Sequence, residues 1–161
     1  MIIRLSKALL VCSIALFASL VVFGNITDYK TNFEFVQHVL MMDTIFPDAT
    51  IKYRALEQDW IHILGYIFII AGEALVAILC WIGGIKLINL RNATADQFNS
   101  AKTISIIGLT VGYLVWQVGF MTIGGEWFGM WMSDTWNGKD NAFQFFTTIL
   151  LILIYLVQKD S

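Results

Sequence analysis

Charge is the first thing this chain lacks. Of 161 residues only 14% are charged, against 58% that are hydrophobic. A soluble domain carries roughly 25% charged residues and is about 45–50% apolar, so both departures point into a membrane. With a net charge of −2 there is no basic footprint for nucleic acid. Proline is nearly absent: Pro47 stands alone, which suits long unbroken helices. Cysteine is scarce too. Cys12 and Cys80 both lie inside apolar runs and read as small hydrophobic side chains, with no metal-type spacing. A disulfide requires that the first two spans touch at that depth. The chain also lacks a glycine-rich phosphate loop, a nucleophile elbow, a zinc motif and a paired His/carboxylate motif.

What the chain has is apolar length. Crossing ~30 Å of hydrocarbon takes about 20 helical residues. Four runs are candidates, at about 5–23, 62–88, 103–123 and 142–157; the first is just long enough and the last is short, with an interfacial start at Phe143, Phe145 and Phe146. The expectation is one all-α unit over 1–161, a four-helix transmembrane bundle. Arg4 and Lys7 before the first run also fit a cleaved signal peptide, but Val21-Val22-Phe23-Gly24 is a poor cleavage site and a retained span is favoured.

Basic residues beside span ends set orientation. Arg4, Lys7, Lys86, Arg91, Lys102 and Lys159 fall on one side, close to the membrane. Lys30, Lys52, Arg54 and Lys139 are scattered through longer loops on the other. Both termini are therefore expected in the cytoplasm, with loops 24–61 and 124–141 outside, forming a cap.

The first outer loop has a pattern. Thr31-Asn32-Phe33-Glu34 fits a capping box, and Phe35, Val36, Val39 and Leu40 recur at helical spacing opposite Glu34, Gln37, His38 and Met41. This predicts a short amphipathic helix on the bundle, ended by a turn at Pro47-Asp48. Residues 50–59 are expected to form a second short helix. The second outer loop is densely aromatic. Glu126, Trp127, Trp131, Asp134 and Trp136 form a candidate docking surface, since exposed aromatics with a few acids mark binding patches. Simple anchoring in an interfacial belt, with Tyr29, Trp60 and Tyr66, competes with that reading.

Glu73 is the most informative single residue. It lies about 15 residues, or ~22 Å, from one end of its span. Acids at such depth face a bundle interior and have a partner. Counting along the other spans brings Gln117, Gln144 and Thr147 to similar depth, so a polar cluster with Glu73 is allowed. Its function would be a proton relay or ligand carboxylate; its plain alternative is a neutral acid bonded between helices as glue. Gly65 and Gly72 on the second span, and Ser105, Gly108, Gly112 and Gly119 on the third, are candidate close-packing positions. His38 and His62 would sit near the outer surface, and a metal or haem role is disfavoured there. Asn25-Ile26-Thr27 and Asn92-Ala93-Thr94 match the glycosylation pattern, one frequent by chance.

Arg4-Leu5-Ser6-Lys7, Gly24 to Tyr29, Asn32-Phe33 with Phe35 to Leu40, Met42-Asp43-Thr44 before Phe46-Pro47, Gly72-Glu73-Ala74-Leu75, and Gly124 to Phe128 through Trp136-Asn137-Gly138 occur together. As a set they make the chain resemble a bacterial family of small integral membrane proteins whose domain has no known function. The resemblance covers nearly the whole chain. It implies a four-helix membrane protein and supplies no activity.

Two functions follow from the residues. One is a non-catalytic accessory subunit that stabilises a larger inner-membrane complex, through other membrane subunits or self-association. The other is a lipid-, quinone-, haem- or small-molecule-binding protein or transporter using Glu73. No cofactor is specifically expected.

Overall fold

The computed structural model describes residues 1–161 and is all-helical. In chain order the helices are α1 (Ile2–Thr27), α2 (Tyr29–Met41), α3 (Asp59–Asn89), α4 (Ala95–Ala101), α5 (Thr103–Leu114) and α6 (Lys139–Val157). α5 runs on without a break as a π-helix, Val115–Trp127, and 3-10 turns occupy Lys52–Arg54 and Met130–Met132. Four helical stretches are long and apolar enough to cross a membrane: Ile2–Thr27, Asp59–Asn89, Ala95–Trp127 and Lys139–Val157. Their outward residues stay apolar, as at Phe68 (77% exposed) and Leu151 (63%). Such a surface is at home in lipid and a liability in water.

Small residues make the bundle close-packed. On α1 the fully buried seam is Ala8, Val11, Ala15 and Ala18, a spacing of three and four residues that keeps one face on α3. Gly84 of α3 lies there against Cys12: an added Cβ would stand 2.5 Å from its Sγ. The two cysteines remain free thiols. α3 then meets α5 through a ladder of small residues. Gly83 rests on Ser105, Gly108 on Cys80, Gly112 on Val76, and Gly72 on Val115. Where no hydrophobic effect drives helices together, this backbone approach gains dispersion contacts. Of the glycines expected to pack, Gly65 touches Leu40 and Val36 of α2, and Gly72, Gly108 and Gly112 lie in the ladder. Gly119 does not pack: a Cβ there would meet nothing within 4 Å.

One end of the bundle holds both termini. There Lys7 and Lys102 are buried and converge on the Oδ2 of Asp160, at 2.7 and 2.6 Å. Both also donate to the Gln158 carbonyl. Asn99 exchanges hydrogen bonds with the Asp160 backbone and accepts one from Lys102. Burial would push the Asp160 carboxyl up, but hydrogen bonds from Lys102 and Lys7, and their charges, outweigh it and hold it below the usual carboxylate range.

The opposite end carries the cap. The amphipathic helix is present as α2, burying Val36 and Val39, but its start differs from expectation. Thr31 and Glu34 lie inside the helix, which begins at Tyr29 directly after α1, with no side-chain cap. A capping box does form at Thr94 and Gln97, where α4 begins. α2 ends before Pro47, at Met42, whose φ of 52° turns the chain left-handed. Residues 50–58 hold only the 3-10 turn Lys52–Arg54 and α3 begins at Asp59, so the second short helix is absent. A second small core of Val39, Met42, Ile45, Phe128 and Met130 joins the two cap segments.

Candidate functional site

The cap end of α3 and α5 is where the bundle opens. Their ladder stops at Gly72 and Val115. Val115 is the first residue of the thirteen-residue π-helix that continues α5. Its sequence contains Gly119, Gly124 and Gly125, poor α-formers, and the Thr122 hydroxyl donates to the Gln117 carbonyl five residues back. π turns are rare and gather at functional sites. Between this segment, α3 and α2 lies an apolar groove of about 540 Å³. Leu40, Phe68, Val118, Gly119 and Ile123 are among its lining, and Phe68, Val118 and Ile123 are themselves exposed.

A second, smaller space of about 150 Å³ adjoins it. Phe35, Val36, Ile69 and Phe120 line both. The small cavity holds the polar residues: Glu73, Asn25, Asn32 and Tyr66. Glu73 is 2% exposed and no cation pairs with it. Its Oε2 accepts a 2.7 Å hydrogen bond from Asn25 Nδ2. The Tyr66 hydroxyl donates to the Asn25 carbonyl at 2.8 Å, which holds the end of α1 in place. Asn32 donates to the Asp28 carbonyl at 2.9 Å. Tyr29, Phe33 and Tyr66 form an aromatic cluster beside it, with the Tyr29 and Tyr66 rings 4.9 Å apart, edge to face.

The partner of Glu73 is thus Asn25, a residue that its sequence motif marked only for glycosylation. Gln117 is half-buried on the π-helix, Thr147 half-buried and Gln144 exposed on α6; none hydrogen-bonds Glu73 or lines its cavity. The pairing follows from register. α1 and α3 run antiparallel with Cys12 against Gly84, so the far end of α1 must arrive near Glu73. An Asn at the end of an apolar run was the available signal.

The aromatic residues of the second cap segment are divided among separate contacts. Trp136 stacks on His38 at 4.7 Å and meets Phe35 edge to face. Trp127 lies under the Arg54 guanidinium, 4.5 Å from its ring, and Trp131 meets Phe46. Trp127 and Trp131 are still about half exposed (53% and 46%). Glu126 pairs with Lys139 at 2.7 Å, and Asp134 is exposed. The histidines serve the cap. His38 Nδ1 is 2.7 Å from Asp43. His62 is fully buried and its Nε2 lies 2.7 Å from the Leu56 carbonyl, pinning the 52–58 segment to α3. No group of three His, Cys, Asp or Glu is arranged to hold a metal ion.

Residues 3–159 match the family described as "Predicted small integral membrane protein (DUF2165)", and the chain belongs to it. No curated protein matches the chain, and no solved structure does.

Proposed function

We propose, from membership in a family of small integral membrane proteins and from the geometry at Glu73, that this protein binds an amphiphile taken from the bilayer. The observation that carries the reading is the adjacency of two unlike spaces. An apolar groove open toward lipid adjoins a small cavity walled by a buried carboxyl, two asparagines and a tyrosine. Ligand sites are generally of this kind, mostly apolar with a few convergent polar groups. An apolar chain fits the groove and a polar head the cavity. The π-helix supports the reading, because an ordinary α-helical continuation of α5 keeps the ladder packing that the groove interrupts.

Gly119 supplies the test. It lines the groove, and a side chain added there meets nothing within 4 Å. Gly119→Phe therefore fills the groove without a clash at its Cβ. The parent protein, purified in mild detergent and extracted with organic solvent, retains about one amphiphile per chain; Gly119→Phe loses it. Equal retention by both contradicts the reading.

The second reading, an accessory subunit of a larger complex, is favoured by the exposure of Trp127 and Trp131 on the cap. Loss of a co-purifying membrane complex from a variant with both changed to alanine supports it. For either reading we place the protein in the bacterial inner membrane with both termini cytoplasmic. Arg4, Lys7, Lys86, Arg91, Lys102 and Lys159 gather at the terminal end, as the positive-inside rule requires. A cysteine at position 134 should label from outside intact spheroplasts; labelling only after lysis reverses the orientation.

A further inference from the structure

The geometry points to a lipophilic primary amine as the amphiphile, its ammonium in the Glu73 cavity and its chain in the adjoining groove. This rests on the binding reading above and adds the chemistry of the head. The first reason is charge. Glu73 is a buried carboxyl with no cation of the protein beside it, and no Lys, Arg or His lines either space. Acids held inside a membrane protein are paired or mark a ligand path. A phosphate or carboxylate head would find no cation there.

The second reason is the balance of hydrogen-bonding groups. Asn25, Asn32 and Tyr66 each already donate one bond within the protein. Four side-chain oxygens accept none, namely Asn25 Oδ1, Asn32 Oδ1, Tyr66 Oη and the Oε1 of Glu73, against two free donors, the second amide N–H of each asparagine, so acceptors are in excess. An ammonium brings three donors and no acceptor. The third reason is the rest of the wall. Phe35, Trp116, Phe120 and Phe145 are aromatic, and ring faces attract a cation, more strongly where water is excluded. A hydroxyl head meets the same oxygens without the charge and is the competitor to separate.

The probes are dodecylamine, dodecanol and dodecyl phosphate, added to the protein in phosphatidylcholine nanodiscs and followed by native mass spectrometry. The parent should take up about one dodecylamine, and dodecyl phosphate should not displace it. Glu73→Gln keeps the shape and removes the charge. It should weaken amine binding roughly tenfold or more, the usual scale for a charge-assisted hydrogen bond. Glu34→Gln, on the outer side of α2, should change nothing. Gly119→Phe should weaken both the amine and the alcohol. If Glu73→Gln binds the amine as the parent does, or dodecanol competes as well as dodecylamine in the parent, the amine assignment is wrong; the binding reading stands as long as Gly119→Phe weakens both. If Gly119→Phe binds everything as the parent does, or the parent binds neither amine nor alcohol, both fail.

Discussion

Asp160→Asn gives the most quantitative check on how the bundle is closed. The amide keeps the shape and one carbonyl oxygen but removes the anion between two buried lysines. Lys7 and Lys102 are 2% and 4% exposed, and Asp160 itself 5%. The ammonium nitrogens lie 2.7 and 2.6 Å from the same oxygen, distances that add to 5.3 Å, the farthest apart they can be. At an effective dielectric of about 20, two like charges at that spacing repel by about 3 kcal/mol. Breaking a buried ion pair from one side commonly costs ~3–5 kcal/mol, a loss of the same size. Unfolding by SDS in decyl-maltoside micelles, followed by far-UV circular dichroism, measures the loss. Adding Lys102→Met to Asp160→Asn should recover most of it, because one cation is then gone. A stability for Asp160→Asn within about 0.5 kcal/mol of the parent refutes the reasoning, since that is the range of ordinary surface changes. The pH dependence has a definite sign. The folded protein holds the Asp160 carboxyl low, so its stabilisation is complete above the unfolded value of about 3.9 and is lost as pH falls through the lower folded value. The gap between parent and variant should be flat at neutral pH and close only in strong acid.

Two further outcomes follow from the packing. Gly84→Ala should cost about 1–3 kcal/mol, because its Cβ meets Cys12 at 2.5 Å and the backbone N of Cys12 at 3.4 Å. Gly119→Ala, in open space, should be neutral or gain up to about 1 kcal/mol; the same unfolding assay compares them, and equal losses contradict the ladder. His62→Ala should free the Leu56 carbonyl and loosen the 52–58 segment, so trypsin should cut after Lys52 or Arg54 sooner than in the parent. An unchanged cleavage rate removes His62 from the role of anchor.

The spans were legible because bilayer thickness imposes length and composition directly on the sequence. Gly72, Gly108 and Gly112 were legible for a similar reason: small residues at helical spacing have few other uses in an apolar run. Gly83 and Gly84 were missed, although they decide how closely α3 approaches both α5 and α1. The candidate site was half legible. Glu73 stood out by cost, but its partner depended on the register between α1 and α3, which no single-span count contains. Counting depth brought Gln117, Gln144 and Thr147 level with it; it could not say which way each faced. The three tryptophans were close in sequence and read as one surface. A glycine at φ 64°, Gly129, and the 3-10 turn after it send them to different neighbours. The π-helix left only its glycines as a trace. The tail contact of Asp160 with Lys7 and Lys102 joins positions about 150 and 60 residues apart, and apolar periodicity carries no information on it.

The groove beside Glu73 is proposed to hold a bilayer amphiphile. Native mass spectrometry of the parent, Gly119→Ala and Gly119→Phe, released side by side from the same membranes, tests it most directly. One bound amphiphile is expected in the parent and in Gly119→Ala and none in Gly119→Phe, with all three equally folded. The same adduct at the same occupancy in Gly119→Phe, or no adduct in the parent, would contradict it.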